Sequence, residues 1–235
     1  MVGPLPLALA VSAGAALPAG AACRLALLLA LDISSSVDDA EDRLQREGLA
    51  AALTAPEIVE VVLALPDRPV ALSVFEWSGR YQQDVLLDWR LLETRDDIFA
   101  AASRIAGSRR SYTEFPTAIG YALGYAAALI EGAPVCDQVT IDVSGDGRNN
   151  EGFAPRLAYE NFPLGGVTVN GLVIGGLEEG LPQYYRENVI KGPGAFVETA
   201  ADFDGFERAM RRKLLREMEV RAVGALPRAA GDGGG

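Results

Sequence analysis

The chain has 235 residues, 49% hydrophobic and 23% charged, with 32 acids against 21 bases for a formal charge of −11. Length and composition specify one large globular domain with a substantial core, and the acidic balance repels phosphate backbones and anionic membrane surfaces, which argues against nucleic-acid binding. The sequence contains no histidine, so serine–histidine and cysteine–histidine catalysis and nearly all zinc and copper sites are excluded.

Residues 1–22 are rich in Ala, Leu and Gly, with no charged side chain before Arg24. The segment is too short and too proline-punctuated to span a bilayer, and its small residues suit cleavage near Ala21 or Ala22. It is expected to be a secretory signal, which makes the protein exported, periplasmic or secreted; the lack of Lys or Arg at its start is a departure from the usual signal pattern. No later segment could cross a membrane. The two cysteines, Cys23 and Cys136, are then candidates for a disulfide; the alternatives are a lipidated Cys23 and two unrelated buried thiols.

From residue 23 onward, apolar runs alternate with helix-period segments, the pattern of an α/β protein with a mostly parallel sheet. Leu25–Leu31 is nearly all aliphatic, as expected of a strand buried on both faces. A helix from about Val37 to Leu53 follows, extended by PEIVEVVLAL. Val70–Ser78 is a second strand, and QQDVLLDWRLL returns as an antiparallel edge strand. TRDDIFAAASRIA reads as a helix capped by Thr94. Beyond the polar loop GSRRSYTEFP, the small-residue segment TAIGYALGYAAALIEG is a helix that packs close to the sheet. Gln138–Val143 is a strand, APRLAYENF a helix, GVTVNGLVIGG a strand, LPQYYRENVI a short helix and AFVETA the last strand. Phe203–Val220 is an amphipathic helix with late basic residues, as the helix dipole favours, and residues 223–235 are expected to be a disordered tail.

Two strands end in oxygen-rich turns: the first in Asp32-Ile33-Ser34-Ser35-Ser36, another in Ser144-Gly145-Asp146-Gly147. In open parallel sheets ligands bind at such carboxyl ends. Residues two apart in an extended segment point the same way, so Asp32, Ser34 and Ser36 can face one point. Carboxylates and hydroxyls converging there form the ligand set of a hard cation, Mg²⁺ or Mn²⁺.

These residues resemble the von Willebrand factor A-type family. DISSS is similar to its D-x-S-x-S signature, TAIGYAL to its T-x-I-G-x-A-L, and SGDG stands where the family usually has T-D-G. The closest likeness is to a functionally unassigned, exported bacterial subfamily. The resemblance covers about residues 24–220 and implies a Rossmann-like, doubly wound fold with helices on both faces and a metal-ion-dependent adhesion site. Carried over, Ser34, Ser36 and Thr117 bind the metal through hydroxyls, while Asp32 and Asp146 act mainly through water. One position is left for a carboxylate from a partner protein or peptide. Phe115-Pro116 stand where the family often has glycines, which leaves Thr113 as an alternative to Thr117. The family's strand order also puts Cys23 and Cys136 together at the amino-end edge of the sheet, far from the metal.

Several residues have plainer readings. Ser36 could cap the following helix, with Asp38 and Asp39 in its first turn. Asp146 could be a turn residue, and Asp142 is either a buried, hydrogen-bonded acid or a sign of a locally polar sheet face. Asn149 or Asn150 is expected to cap the next helix with Arg148 solvated, Ser108–Arg110 to be a solvated loop, and Trp77, Tyr81 and Trp89 to pack in the core or at the edge. The expected function is a metal-dependent binding module of the bacterial cell envelope rather than an enzyme. The alternatives are a metal-dependent hydrolase, phosphatase-like and using Asp32 as nucleophile, and a module that works without metal. Aspartyl-phosphate chemistry is disfavoured because no second aspartate follows Asp32 closely and no lysine is well placed. Dinucleotide binding is weaker still, since the first strand–helix turn lacks G-x-G-x-x-G.

Overall fold

The structure, a computed structural model, describes residues 23–175 and 179–224. The expected signal segment and the tail from residue 225 lie outside the described residues. The elements run β1 (Leu25–Asp32), α1 (Asp39–Thr54), α2 (Pro56–Leu63), β2 (Val70–Trp77), β3 (Gln83–Leu92), α3 (Arg95–Ala106), α4 (Ile119–Glu131), β4 (Val139–Gly145), α5 (Pro155–Asn161), β5 (Thr168–Ile174), α6 (Leu181–Asn188), β6 (Val197–Ala200) and α7 (Phe206–Gly224). They form one six-stranded sheet in the order β3-β2-β1-β4-β5-β6, parallel throughout except for the edge strand β3. The doubly wound architecture matches expectation. Strand order reverses between β1 and β4, and that is where the loops after both strands emerge side by side.

β1 is buried along its whole length because helices cover both its faces. Leu25, Leu27, Leu29 and Leu31 pack against α1, α2 and α7, and Leu28 and Ala30 face the layer of α4, α5 and α6. Several boundaries differ from the sequence reading. α1 starts at Asp39 rather than Val37, because Asp38 takes the cap position: its Oδ1 accepts from Ala40 and Glu41, while Glu41 Oε2 accepts the Asp38 amide. Val37 is thereby freed to enter the core, and Asp38, not Ser36, is the cap. The extension of α1 is a separate helix, since Ala55 is non-helical and Pro56 opens α2. β4 continues two residues past Val143, and α7 runs through residue 224, so residues 223 and 224 are helix rather than tail.

Cys23 and Cys136 form a disulfide with a Cα–Cα distance of 4.5 Å, at an isolated parallel bridge beside the amino ends of β1 and β4. Cys23 Sγ is therefore engaged in the bridge, and neither cysteine is free.

The face of β4 and β5 beneath α7 is polar. Thr140, Asp142, Ser144, Thr168 and Asn170 are buried there with Lys213 and Glu217 of α7. Lys213 Nζ lies 2.8 Å from both Asp142 Oδ2 and Glu217 Oε1, and Asn170 Nδ2 donates to Glu217 at 2.5 Å. Asp142 lies on a locally polar sheet face, and it is a buried acid held by an ion pair with Lys213. Two carboxylates share one ammonium, and burial pushes Asp142 up to about 7, the charge of Lys213 opposing this and that of Glu217 adding to it.

A folded-state pKa above the unfolded value means that the native state holds a proton the unfolded chain has released. This contribution is full at pH values below the ordinary aspartate range and is lost as pH rises through about 7. Asp142→Asn should therefore flatten part of the decline in stability between pH 5 and pH 8, by on the order of 1 kcal/mol, read from urea midpoints at the two pH values.

Candidate metal centre

At the carboxyl ends of β1 and β4 the structure brings Asp32, Ser34, Ser36, Thr117 and Asp146 into one linked cluster. Asp32 Oδ1 accepts the Ser34 amide at 2.7 Å. Ser34 Oγ lies 3.2 Å from Ser36 Oγ and accepts from Thr117 Oγ1 at 3.2 Å. Ser36 Oγ donates to Asp146 Oδ1 at 2.8 Å. Asp32, Ser34 and Thr117 are buried and form the floor, while Ser36 is exposed and Asp146 half-buried, so the cluster opens to solvent on their side. Thr113 is exposed and sits in the loop before the cluster, so the geometry favours Thr117 between the two threonines.

Each loop is held by identifiable contacts. Gln45 Nε2 of α1 donates to the Asp32 carbonyl at 2.9 Å, and the Ser35 amide donates to Phe115 O. Thr117 is gripped by the loop after β4: its amide donates to Asn150 Oδ1 at 2.9 Å, and its carbonyl accepts from the Asn150 and Glu151 amides. Asn149 Oδ1 accepts the Gly120 amide at 3.1 Å in the first turn of α4. The two asparagines thus serve α4 behind them, not the next helix, which Pro155 opens after Ala154 without any side-chain cap. Arg148 lies over the Tyr184 ring, 5.4 Å from its centroid.

Arg110 is the residue that sequence reasoning missed. Expected in a solvated loop, its side chain is only 7% exposed. It donates to the carbonyls of Tyr112 at 2.7 Å, Val37 at 2.6 Å, Ile33 at 2.8 Å and Ser34 at 2.9 Å. One guanidinium thereby ties the threonine loop to the D-x-S-x-S turn, a planar fork of donors matched to a ring of carbonyls. The loop carrying it is itself anchored, because Glu76 of β2 accepts the Ser111 amide at 2.9 Å and Arg46 at 2.5 Å. Arg46 Nη1 also reaches Ser108. No periodicity marks such an arginine, since its role exists only once the loop has folded. The aromatic expectations divide: Trp77 is buried and Trp89 donates from the edge strand to Leu129 O, but Tyr81 is 78% exposed, at the turn between β2 and β3.

The electrostatics are those of two crowded acids. Asp32 is fully buried, and burial followed by the neighbouring Asp146 charge pushes it up to about 7, against the opposing bonds from Ser34 and the charge of Arg110. Its Oδ2 is buried without a hydrogen-bond partner among the described residues, a desolvated acceptor of the kind that calls for a partner. The donor set is all oxygen, three hydroxyls and two carboxylates, as Mg²⁺ or Mn²⁺ would require. Among the described residues no group of three or more Cys, Asp or Glu could hold a metal, so any cation here would depend on the hydroxyls.

A family described as "Protein of unknown function (DUF1194)" matches residues 22–222. The chain belongs to this family. The chain is also similar to solved von Willebrand factor A-type structures. Proximal thread matrix protein 1 from the mussel byssus aligns with a TM-score of 0.62 at 19% identity, over 85% of this chain and 49% of that one. A von Willebrand factor type A protein from Catenulispora acidiphila aligns at 0.59 and 15% identity, over 83% and 43%. The PilB minor pilin from Streptococcus sanguinis aligns at 0.59 and 12% identity, over 89% and 64%. These likenesses show the fold, and the DUF1194 chain spans about half the length of the first two structures. One structure of the mussel protein has a zinc-occupied MIDAS motif. No curated protein matches.

Replacing Arg110 with methionine should leave four carbonyls without their charged donor and make local opening of the two loops it ties easier by about 2–4 kcal/mol. The effect should be local: amide hydrogen exchange at Ser35 and Val37 should rise well above wild type while β1 amides stay protected, read by exchange mass spectrometry or NMR.

Proposed function

We propose that this DUF1194 protein is an exported, metal-dependent binding module. In this reading Ser34, Ser36 and Thr117 hold Mg²⁺ or Mn²⁺ through their hydroxyls, and Asp32 and Asp146 act mainly through water. The cation's open position takes a carboxylate from a protein or peptide partner. The observation that carries the reading is the single linked cluster that these five oxygen side chains form at the carboxyl ends of β1 and β4, with one Asp32 oxygen buried and without a hydrogen-bond partner among the described residues. An anionic pair beside neutral hydroxyls attracts a divalent cation without saturating its charge, which leaves Lewis acidity for an incoming anion.

Other findings support the wider setting. Similar folds occur in a mussel byssus protein with a zinc-occupied MIDAS motif and in pilus proteins. A disulfide fits an oxidising compartment. Among the described residues no helix is long and apolar enough to cross a membrane. A nucleophilic Asp32 is poorly supported, because its side chain is 0% exposed and one oxygen already accepts the Ser34 amide. An attacking carboxylate needs access to its substrate.

Thermal unfolding tests the reading. Mg²⁺ or Mn²⁺ at a hundred times its dissociation constant should stabilise the wild type by about 2.7 kcal/mol, and Asp146→Ala or Asp32→Asn should abolish the shift. A wild-type melting curve that does not move across millimolar concentrations of either metal would overturn it.

A further inference from the structure

Tyr185, on α6, is 0% exposed, and two glycines in neighbouring strands make room for it. A Cβ on Gly171 of β5 would come within 2.9 Å of Tyr185 Cδ1. A Cβ on Gly145 of β4 would stand 2.5 Å from the Tyr185 hydroxyl and 2.9 Å from Asp32 Oδ2. Both contacts are too close for any side chain. Glycine inside a strand weakens it and marks a close approach of another group. Here the ring of Tyr185 approaches, and its hydroxyl and the partnerless oxygen of Asp32 flank the same point.

A ring that only filled the core would not need the hydroxyl. Burying a phenol costs free energy unless the oxygen is hydrogen-bonded, and the bond that Tyr185 makes, to Gly147 O, is long at 3.4 Å. Burial and the nearby charges of Asp32 and Asp146 hold the phenol protonated, well above its ordinary value. A phenol hydroxyl can donate a hydrogen bond, and this one and Asp32 Oδ2 both crowd the place where a Gly145 side chain would stand. The adjacent Tyr184 hydroxyl accepts the Asn149 amide at 3.3 Å, so the same turn of α6 also touches the asparagine that serves α4.

We infer that Tyr185 is a positioning residue of the proposed metal centre: its hydroxyl, admitted by the missing side chain of Gly145, steers the Asp32 carboxylate and so sets how tightly the oxygen cluster takes a divalent cation. The inference rests on the metal reading of the cluster. It also gives Gly145 and Gly171 a shared purpose as the two walls of one slot.

The test compares the full chain with Tyr185→Phe, which keeps the ring and removes only the oxygen. Each is titrated with Mn²⁺ by calorimetry and melted in chelator. The variant should bind Mn²⁺ about tenfold more weakly, as expected when a group supporting a metal ligand is lost, with little change in its chelated melting temperature. Metal should also perturb the near-ultraviolet tyrosine band of the wild type, and that perturbation should shrink in the variant. Gly145→Ala, which displaces both oxygens, should weaken binding as well. Equal Mn²⁺ affinity in wild type and Tyr185→Phe would overturn the inference while leaving the metal reading intact. So would a loss of affinity matched by loss of fold in chelator. A wild type that binds no Mn²⁺ would instead sink the metal reading, and this inference with it.

Discussion

Everything at the candidate site depends on β1 and β4 lying side by side and running in the same direction. A parallel pair cannot be joined by a short turn, so the chain between them must leave the sheet and return. It does so through α1, α2, β2, β3, α3 and α4. As a result Asp32 and Asp146, 114 positions apart in the sequence, leave the sheet together, and the loop between α3 and α4 falls across both ends. The arrangement concentrates negative charge at the top of the sheet, and the protein compensates only in part. Arg110 is committed to backbone carbonyls, and Asp32 is left well above its ordinary pKa.

Buried ion pairs occur in two other places, each solved differently. Arg46 sits between Asp42 and Glu76 and fixes the loop that carries Arg110. Lys213 bridges Asp142 and Glu217 and fixes α7 to β4 and β5. Ion pairs of this kind contribute little net stability compared with apolar packing of the same volume, but breaking one partner leaves an uncompensated charge. The oxygen cluster is the third concentration of acids.

The alternation of buried and polar residues made the strands and their order of appearance legible, because a period of two or an unbroken aliphatic run is a local property. Asp32, Ser34 and Ser36 were legible for the same reason: residues two apart share a direction, and the structure brings their side chains together with Thr117 and Asp146. What could not be read were contacts made by loops. Arg110, Asn149 and Asn150 act on segments that become neighbours only after folding, so nothing beside them in the sequence marks their partners. Asp142 was visible as an oddity in an apolar strand, but its partner Lys213 lies on a helix far along the chain. The boundary of α1 was misread because Ser36 and Asp38 are both good caps, and the demand of Val37 for the core decides between them. Gly145 and Gly171 did carry a signal, since glycine within a strand marks a close approach, and that signal leads to Tyr185.

The disulfide stands at the opposite end of the same two strands. Cys23 and Cys136 precede β1 and β4, so the cluster and the covalent bond terminate one pair of hydrogen-bonded rails. A tensile load applied at the rim would run down both strands in shear, shared across their ladder, and arrive at a bond that cannot slip. In mechanical terms the centre of this domain is a loop of continuous chain closed at its base.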